Sequence, residues 1–421
     1  MQDEITTFEN TGVINGNGSG IIVHSNIKTL VNSGTIYNKN TSVSDAGIKL
    51  ELGVTIDNII NSGTIESEKD GIAVSYGKFG TLTIKDGGIV RGKVSGIDVG
   101  KNQSLGDLNI NGSGNAGIYG EIYGIRLEAD SSTQKINLSN GGVIQGNISG
   151  IKLDSSASLS GDMILSGKGS RVKGRSGAAI SNGSGKISGS ITIKDGATIG
   201  SDSGQAIENS GSGTVTGGIT VSGSNTKLEG NIVNTGNASI GSDIKIENGA
   251  KVDGGLVNTG NGSITGSVQV SSGSSIESIT NEGSGSISGS ITVDKNSKLD
   301  SITNTSTSSS GISGSITNNS DNDLSISNSG NIGGKIESTG SADMTISNRG
   351  GGTISGGVSS SGSGSTSISN SQGSTIDKGI TVSGRAKVKI SNQGSVGNDD
   401  EGNTVTNNGS GSVEIKDWVV S

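Results

Sequence analysis

The chain of 421 residues has no cysteine, no proline, one histidine, and aromatic side chains at only 2%. Without cysteine there is no disulfide and no thiol nucleophile, and one histidine gives zinc no ligand set. The shortage of aromatics leaves too few bulky side chains to fill a wide core, which argues against ordinary globular domains at this length. No apolar run approaches the eighteen or so residues of a membrane helix. The start, Met1-Gln2-Asp3-Glu4, lacks the basic and apolar regions of a signal peptide, so in an exported protein this stretch is expected to be a mature or trimmed segment. A formal net charge of −8 and an isoelectric point near 4.9 speak against general nucleic-acid binding, which depends on neutralising phosphates.

What the chain has instead is 76 glycines, with abundant Ser and Asn. Such polarity usually means disorder, but here the aliphatics are not scattered. They alternate along short runs, as strands with one buried face require, and they are mostly β-branched. The run from Ser286 to Val293 shows the unit: an aliphatic, a turn of Gly and a small residue, then two aliphatics in alternation. Variants return from Lys186 to Ile193, Thr214 to Val221 and Ser263 to Val270. From Val215 the first aliphatic recurs at Ile240, Ile264, Ile287, Ile312, Ile332, Ile354 and Ile376, in steps of 25, 24, 23, 25, 20, 22 and 22 residues. A period in this range marks a solenoid.

A second phrase, aliphatic-x-Asn-x-Gly, keeps the same beat at Asn209, Asn234, Asn258, Asn281, Asn328, Asn348, Asn370 and Asn392. When coils stack about 4.8 Å apart, like residues fall on one another and side-chain amides bond up and down the stack. These asparagines are therefore expected to form a structural ladder. The lack of proline agrees, because interior coils donate ladder hydrogen bonds on both sides. The predicted fold is all-β, a right-handed parallel β-helix of roughly 20–25 residues per coil, with roughly seventeen coils spanning about 80 Å.

The same grammar opens the chain, with Asn10 and Gly12, Asn32 and Gly34, and Asn61 and Gly63, followed by Gly–Ile pairs at Gly96, Gly124 and Gly150. The texture changes near residue 180. Residues 1–180 carry longer loops, the four tyrosines and both phenylalanines, whereas 181–421 read as a regular stalk of Gly, Ser, Thr, Asn, Ile and Val until Trp418. One continuous solenoid with a decorated first part is expected.

A Cys-free β-helix with IxGxIxV and IxNxG phrases, as in Ile287 to Val293 and Ile279 to Gly283, resembles the adhesin-type passenger domains of Gram-negative autotransporters over nearly its whole length. The resemblance implies export through an outer-membrane β-barrel translocator, which the segment up to Ser421 does not supply. It also implies display at the cell surface or release, and adhesion to a host-cell glycan or protein receptor as a virulence factor. A carbohydrate-active β-helix enzyme, and a structural spacer or self-associating surface protein, are the alternative readings.

The chemistry-bearing motifs are few. Ser201-Asp202-Ser203-Gly204 is similar to the sequence around the nucleophile of serine-protease passengers, but Ser201 replaces the first Gly and the only base, His24, lies many coils away. Asp399, Asp400 and Glu401 form an acidic triplet in a Gly- and Asn-rich turn. Gly350, Gly351 and Gly352 lead into Thr353 and not into the aspartate of a calcium repeat. No catalytic residue, metal or cofactor is expected. For ligand contact the candidates are the aromatic pairs Tyr76 with Phe79 and Tyr119 with Tyr123, together with Lys168, Arg171, Lys173 and Arg175. Aromatics are favoured contact anchors, and four cations in eight residues suit a sulfated or sialylated glycan. The alternatives are that one ring of each pair caps a coil and that the basic segment is a solvated loop.

Overall fold

In a computed structural model, residues 4–40, 45–113, 116–397 and 404–416 are described. Asp399, Asp400, Glu401 and Trp418 lie outside the described residues. All regular structure among the described residues is β, and the parallel strands stack as a β-solenoid of about 16 turns, close to the roughly seventeen expected. The chain divides into two compact units, Met1–Gly217 with Asn225–Asn231, and Gly218–Ser224 with Ile232–Ser421.

In the first unit the early coils contribute three strands each, and from Ser104–Leu105 and Leu108–Asn111 onward the first of the three is split in two. Thr55–Asn61, Thr64–Ser67 and Asp70–Val74 are one such set, each pairing in parallel with its counterpart in the preceding coil. Alternation sends every second residue inward, and register places those residues in columns. Ile36, Ile65, Val90, Ile118, Ile144, Val172 and Ile199 are successive partners, all 0% exposed. Each such burial contributes about 2 to 3 kcal/mol of transfer free energy, so a narrow stack needs few large side chains. Coil length varies more than the expected period. The ladder asparagines Asn10, Asn32 and Asn61 are separated by 22 and 29 residues.

The second unit is more regular. Ile240, Ile264, Ile287, Ile312, Ile332, Ile354 and Ile376 are consecutive register partners, which is the column expected from the period. At the corner that follows, a Cβ on Gly289 would lie 2.1 Å from the Gly266 carbonyl oxygen, so the backbones of adjacent coils meet where no side chain fits. Turns elsewhere use the left-handed region, as at Asp195 (φ 56) and Gly196 (φ 84), where Asp and Gly are the least strained residues.

The asparagine ladder is present and buried. Asn234, Asn258, Asn281, Asn304, Asn328, Asn348, Asn370 and Asn392 are each linked by an amide donating to the next Oδ1 at 2.7–3.0 Å. In the first unit Asn182 donates to Asn209 in the same way, at 2.8 Å. Most of these amides also bond a carbonyl within their own turn, as Asn281 does to Gly285 at 3.1 Å, whereas Asn304 donates to the Asn331 carbonyl of the next coil at 3.0 Å. Asn304 escapes the sequence phrase because Ser306 stands where Gly was required, and Asn182 because Gly183 follows it one place early.

Candidate functional site

The outward positions of the same strands form columns of their own. In the first unit one column runs Tyr37, Glu66, Arg91, Tyr119, Gln145, Lys173, and a second runs Ala73, Asp98, Arg126, Lys152, Ser181, Glu208. Tyr119 and Tyr123 sit on either side of one corner, on the strands Gly117–Gly120 and Tyr123–Leu127. Each ring has a guanidinium over it: Arg91 at 5.6 Å from the Tyr119 centroid and Arg126 at 5.8 Å from that of Tyr123. Burial pushes the Tyr119 phenol above its usual value, while Arg171 and Arg91 pull it the other way.

The remaining candidates divide. Tyr76 is 54% exposed, but Phe79 is 1% exposed and belongs to the core, so its expected role as a ligand contact is corrected. The physical reason is register: Phe79 stacks between Ile56 and Leu105 on an inward position. The basic segment is likewise not one loop, because Arg171–Gly174 is a strand with Arg171 exposed, Lys173 half-buried and Val172 buried between them. Lys173 and Arg175 share Asp202 at 3.2 and 3.9 Å, and Lys168 lies exposed in the preceding turn. A groove of about 440 Å³ opens here, lined by Gln145, Ser170, Arg171, Lys173, Thr198 and Glu229.

Asp202 is thus a counterion in the protease-like tetrapeptide. Ser201 donates to the Gly177 carbonyl of the preceding coil, and its hydroxyl lies 2.9 Å from that of Ser203 on the strand Thr198–Ser210. His24 is exposed at the end of Ile21–Val23, coils away in the stack.

A second cluster surrounds Arg126, whose guanidinium meets Glu128 and Asp154, each at 3.0 Å. Asp98, its partner in the column, is pushed up to about 7, first by burial and then by Asp70 and Glu128, with Arg126 opposing. Asp70 bonds the Ser95 amide at 3.1 Å and Lys69 at 3.2 Å, and is itself raised by burial. Between the ordinary carboxylate value of 3.8 and about 7, the folded chain keeps a proton on Asp98 that the unfolded chain has lost. Stability therefore falls as pH rises through that window. Asp98→Asn is expected to raise the thermal midpoint at pH 8 and to flatten the decline between pH 5 and pH 8. Melting curves at both values check this, and an unchanged slope in the variant would count against a costly Asp98 charge.

Sequence reasoning passed over Arg91, Arg126, Asp98 and Asp70. A signal was available for two of them. Asp98, Arg126 and Lys152 each directly follow a Gly–Ile pair, at Ile97, Ile125 and Ile151, and counting from that pair places them in one column. Arg91 carries no such marker.

The second unit is plainer. Its outward positions include Ser278, Ser301, Ser325, Thr345 and Ser367 in one column, beside Thr280, Thr303, Ser327, Ser347 and Ser369 in the next. A trough of about 240 Å³ passes over this face, where Lys416 pairs with Glu414 at 3.2 Å. Compared with family models, curated proteins and solved structures, the chain has no match.

Proposed function

We propose that this chain is the adhesin-type passenger of a Gram-negative autotransporter, delivered by an outer-membrane β-barrel translocator to the cell surface and binding a host-cell glycan or protein there. One observation carries the reading. The groups suited to recognition, Tyr76, Tyr119 under Arg91, Tyr123 under Arg126 and the basic strand at Arg171, all sit on the first unit, while stacked hydroxyls cover much of the second. A rigid scaffold that holds varied side chains at one part and monotony at another suits display. The fold by itself names no activity.

The test uses cells displaying the full chain. The triple variant Tyr76→Ala, Tyr119→Ala, Tyr123→Ala is expected to reduce host-cell attachment by about tenfold or more, as loss of aromatic anchors does. A control carrying Lys298→Ala and Lys335→Ala, surface ion-pair residues of the second unit, should attach normally. Undiminished attachment by the triple variant, with its circular dichroism unchanged, would refute the assignment.

A carbohydrate-active enzyme is the second reading, favoured by the carboxylates Asp98, Glu128 and Asp154 gathered about Arg126, by Asp70 beside Asp98, and by the raised Asp98. Release of reducing ends or unsaturated products from an acidic polysaccharide panel, abolished in Asp98→Asn, would establish it over adhesion alone.

A further inference from the structure

The two arginine-capped tyrosines differ in charge balance. Arg126 is neutralised by Glu128 and Asp154. Among the described residues, by contrast, no carboxylate lies within ion-pair distance of Arg91 or Arg171. Both arginines act on Tyr119, one stacked against its ring and the other close enough to pull on its phenol. Register fixes the order: Arg91, Tyr119, Gln145 and Lys173 succeed one another in a single outward column. Arg171 stands beside it, in the column of Gly117 and Val143. At about 4.8 Å per coil, the surface presents a cation, a ring, an amide and a second cation, and the groove of about 440 Å³ opens at the Gln145 end.

We infer that Arg91, Tyr119, Gln145 and Arg171 form a binding subsite for a saccharide bearing a sulfate or carboxylate group. The apolar face of a sugar ring suits the tyrosine, the guanidinium forks match a planar carboxylate or a sulfate in bidentate fashion, and the Gln145 amide serves a ring hydroxyl as donor and acceptor. The negative groups set the limit on charge density. Glu66 directly precedes Arg91 in the column, Glu229 lines the groove, and Asp202 occupies Lys173 and Arg175. A chain with a phosphate at every residue meets repulsion at those points, whereas a saccharide with isolated anionic groups does not. The inference rests on the reading that the first unit carries adhesion, and it names the ligand class.

The experiment measures binding of the purified full chain to dextran sulfate, hyaluronate, polysialic acid and unmodified dextran over a range of salt. Dextran sulfate separates a sulfate requirement from the carboxylate requirement reported by hyaluronate and polysialic acid. At least one anionic polymer is expected to bind in preference to dextran, more weakly as salt screens the contact. Arg91→Ala and Arg171→Ala should each weaken it by about tenfold to a hundredfold, the value of a charge-assisted hydrogen bond. Lys298→Ala should change nothing. If an alanine variant melts early, Arg91→Gln and Arg171→Gln keep the stems in place and make the same test.

Equal affinity for dextran, undiminished binding by folded arginine variants, or equal capture by anionic lipid vesicles or single-stranded DNA would each overturn the subsite. Host-cell attachment without binding of any anionic polymer would overturn the ligand class and leave adhesion standing. Anionic-polymer binding without attachment would support the subsite and refute adhesion.

Discussion

Replacing Ile291 by Asp is expected to destabilise the second unit by upwards of about 4 kcal/mol, the exceptional range for one substitution. Ile291 is 0% exposed and lies between Val268 and Ile316 in the stack. The substitution removes a fully buried apolar side chain and puts a charge where no hydrogen-bond donor awaits it. The next residue, Thr292, points outward between Gln269 and Thr317 and is half-buried. Thr292→Asp should stay within about 1 kcal/mol. Urea titrations followed by circular dichroism compare the two. Similar midpoints would mean that the inward face has been assigned to the wrong residues.

Asn281→Ala should cost on the order of 3 kcal/mol, far more than its lost volume warrants. Its Oδ1 accepts from Asn258 at 2.7 Å, and its amide donates to Asn304 at 3.0 Å and to the Gly285 carbonyl at 3.1 Å. Alanine strands the Asn304 oxygen, at about 1 to 3 kcal/mol for a buried group left unmet, and takes one bond each from the Asn258 amide, which keeps the Gly262 and Ser286 carbonyls, and from the Gly285 carbonyl, which keeps the Ser306 hydroxyl, at about 0.5 to 1.5 kcal/mol per bond. Asn237 offers the contrast. It accepts from Asn261 at 2.9 Å in an exposed pair, so water replaces the partner and Asn237→Ala should be nearly neutral. If denaturant midpoints shift equally for both variants, the buried ladder contributes no more than a surface contact.

Much of the fold was legible because it is one-dimensional. Each coil repeats the last, so the aliphatics from Ile240 to Ile376 could be stacked by counting, and the structure pairs them in that order. Counting also found most of the ladder, losing Asn304 and Asn182 only where the glycine of the phrase is replaced or shifted. The candidate site was harder to read for the same reason reversed. Where ladder steps of 22 and 29 residues follow one another, sequence distance no longer says which side chains are neighbours. Arg91 and Tyr119 meet because one coil happens to close between them, and neither has a local motif. Phe79 beside Gly77 and Gly80, and Arg171 beside Gly169 and Gly174, look like loops from their glycines. Both lie on strands whose alternation decides exposure.

The sameness of the columns bears on how such a chain changes length. Ile264 meets Ile287, and Ile287 meets Ile312; Asn258 meets Asn281, and Asn281 meets Asn304. Excising residues 287–311 would bring Ser286 before Ile312, set Ile264 against Ile312 and set Asn281 against Asn328, a like partner in each case. A loss of a few residues would instead throw every later column out of phase. The stack can therefore gain or lose whole coils in single genetic events, and selection acts on its reach in steps of one strand spacing.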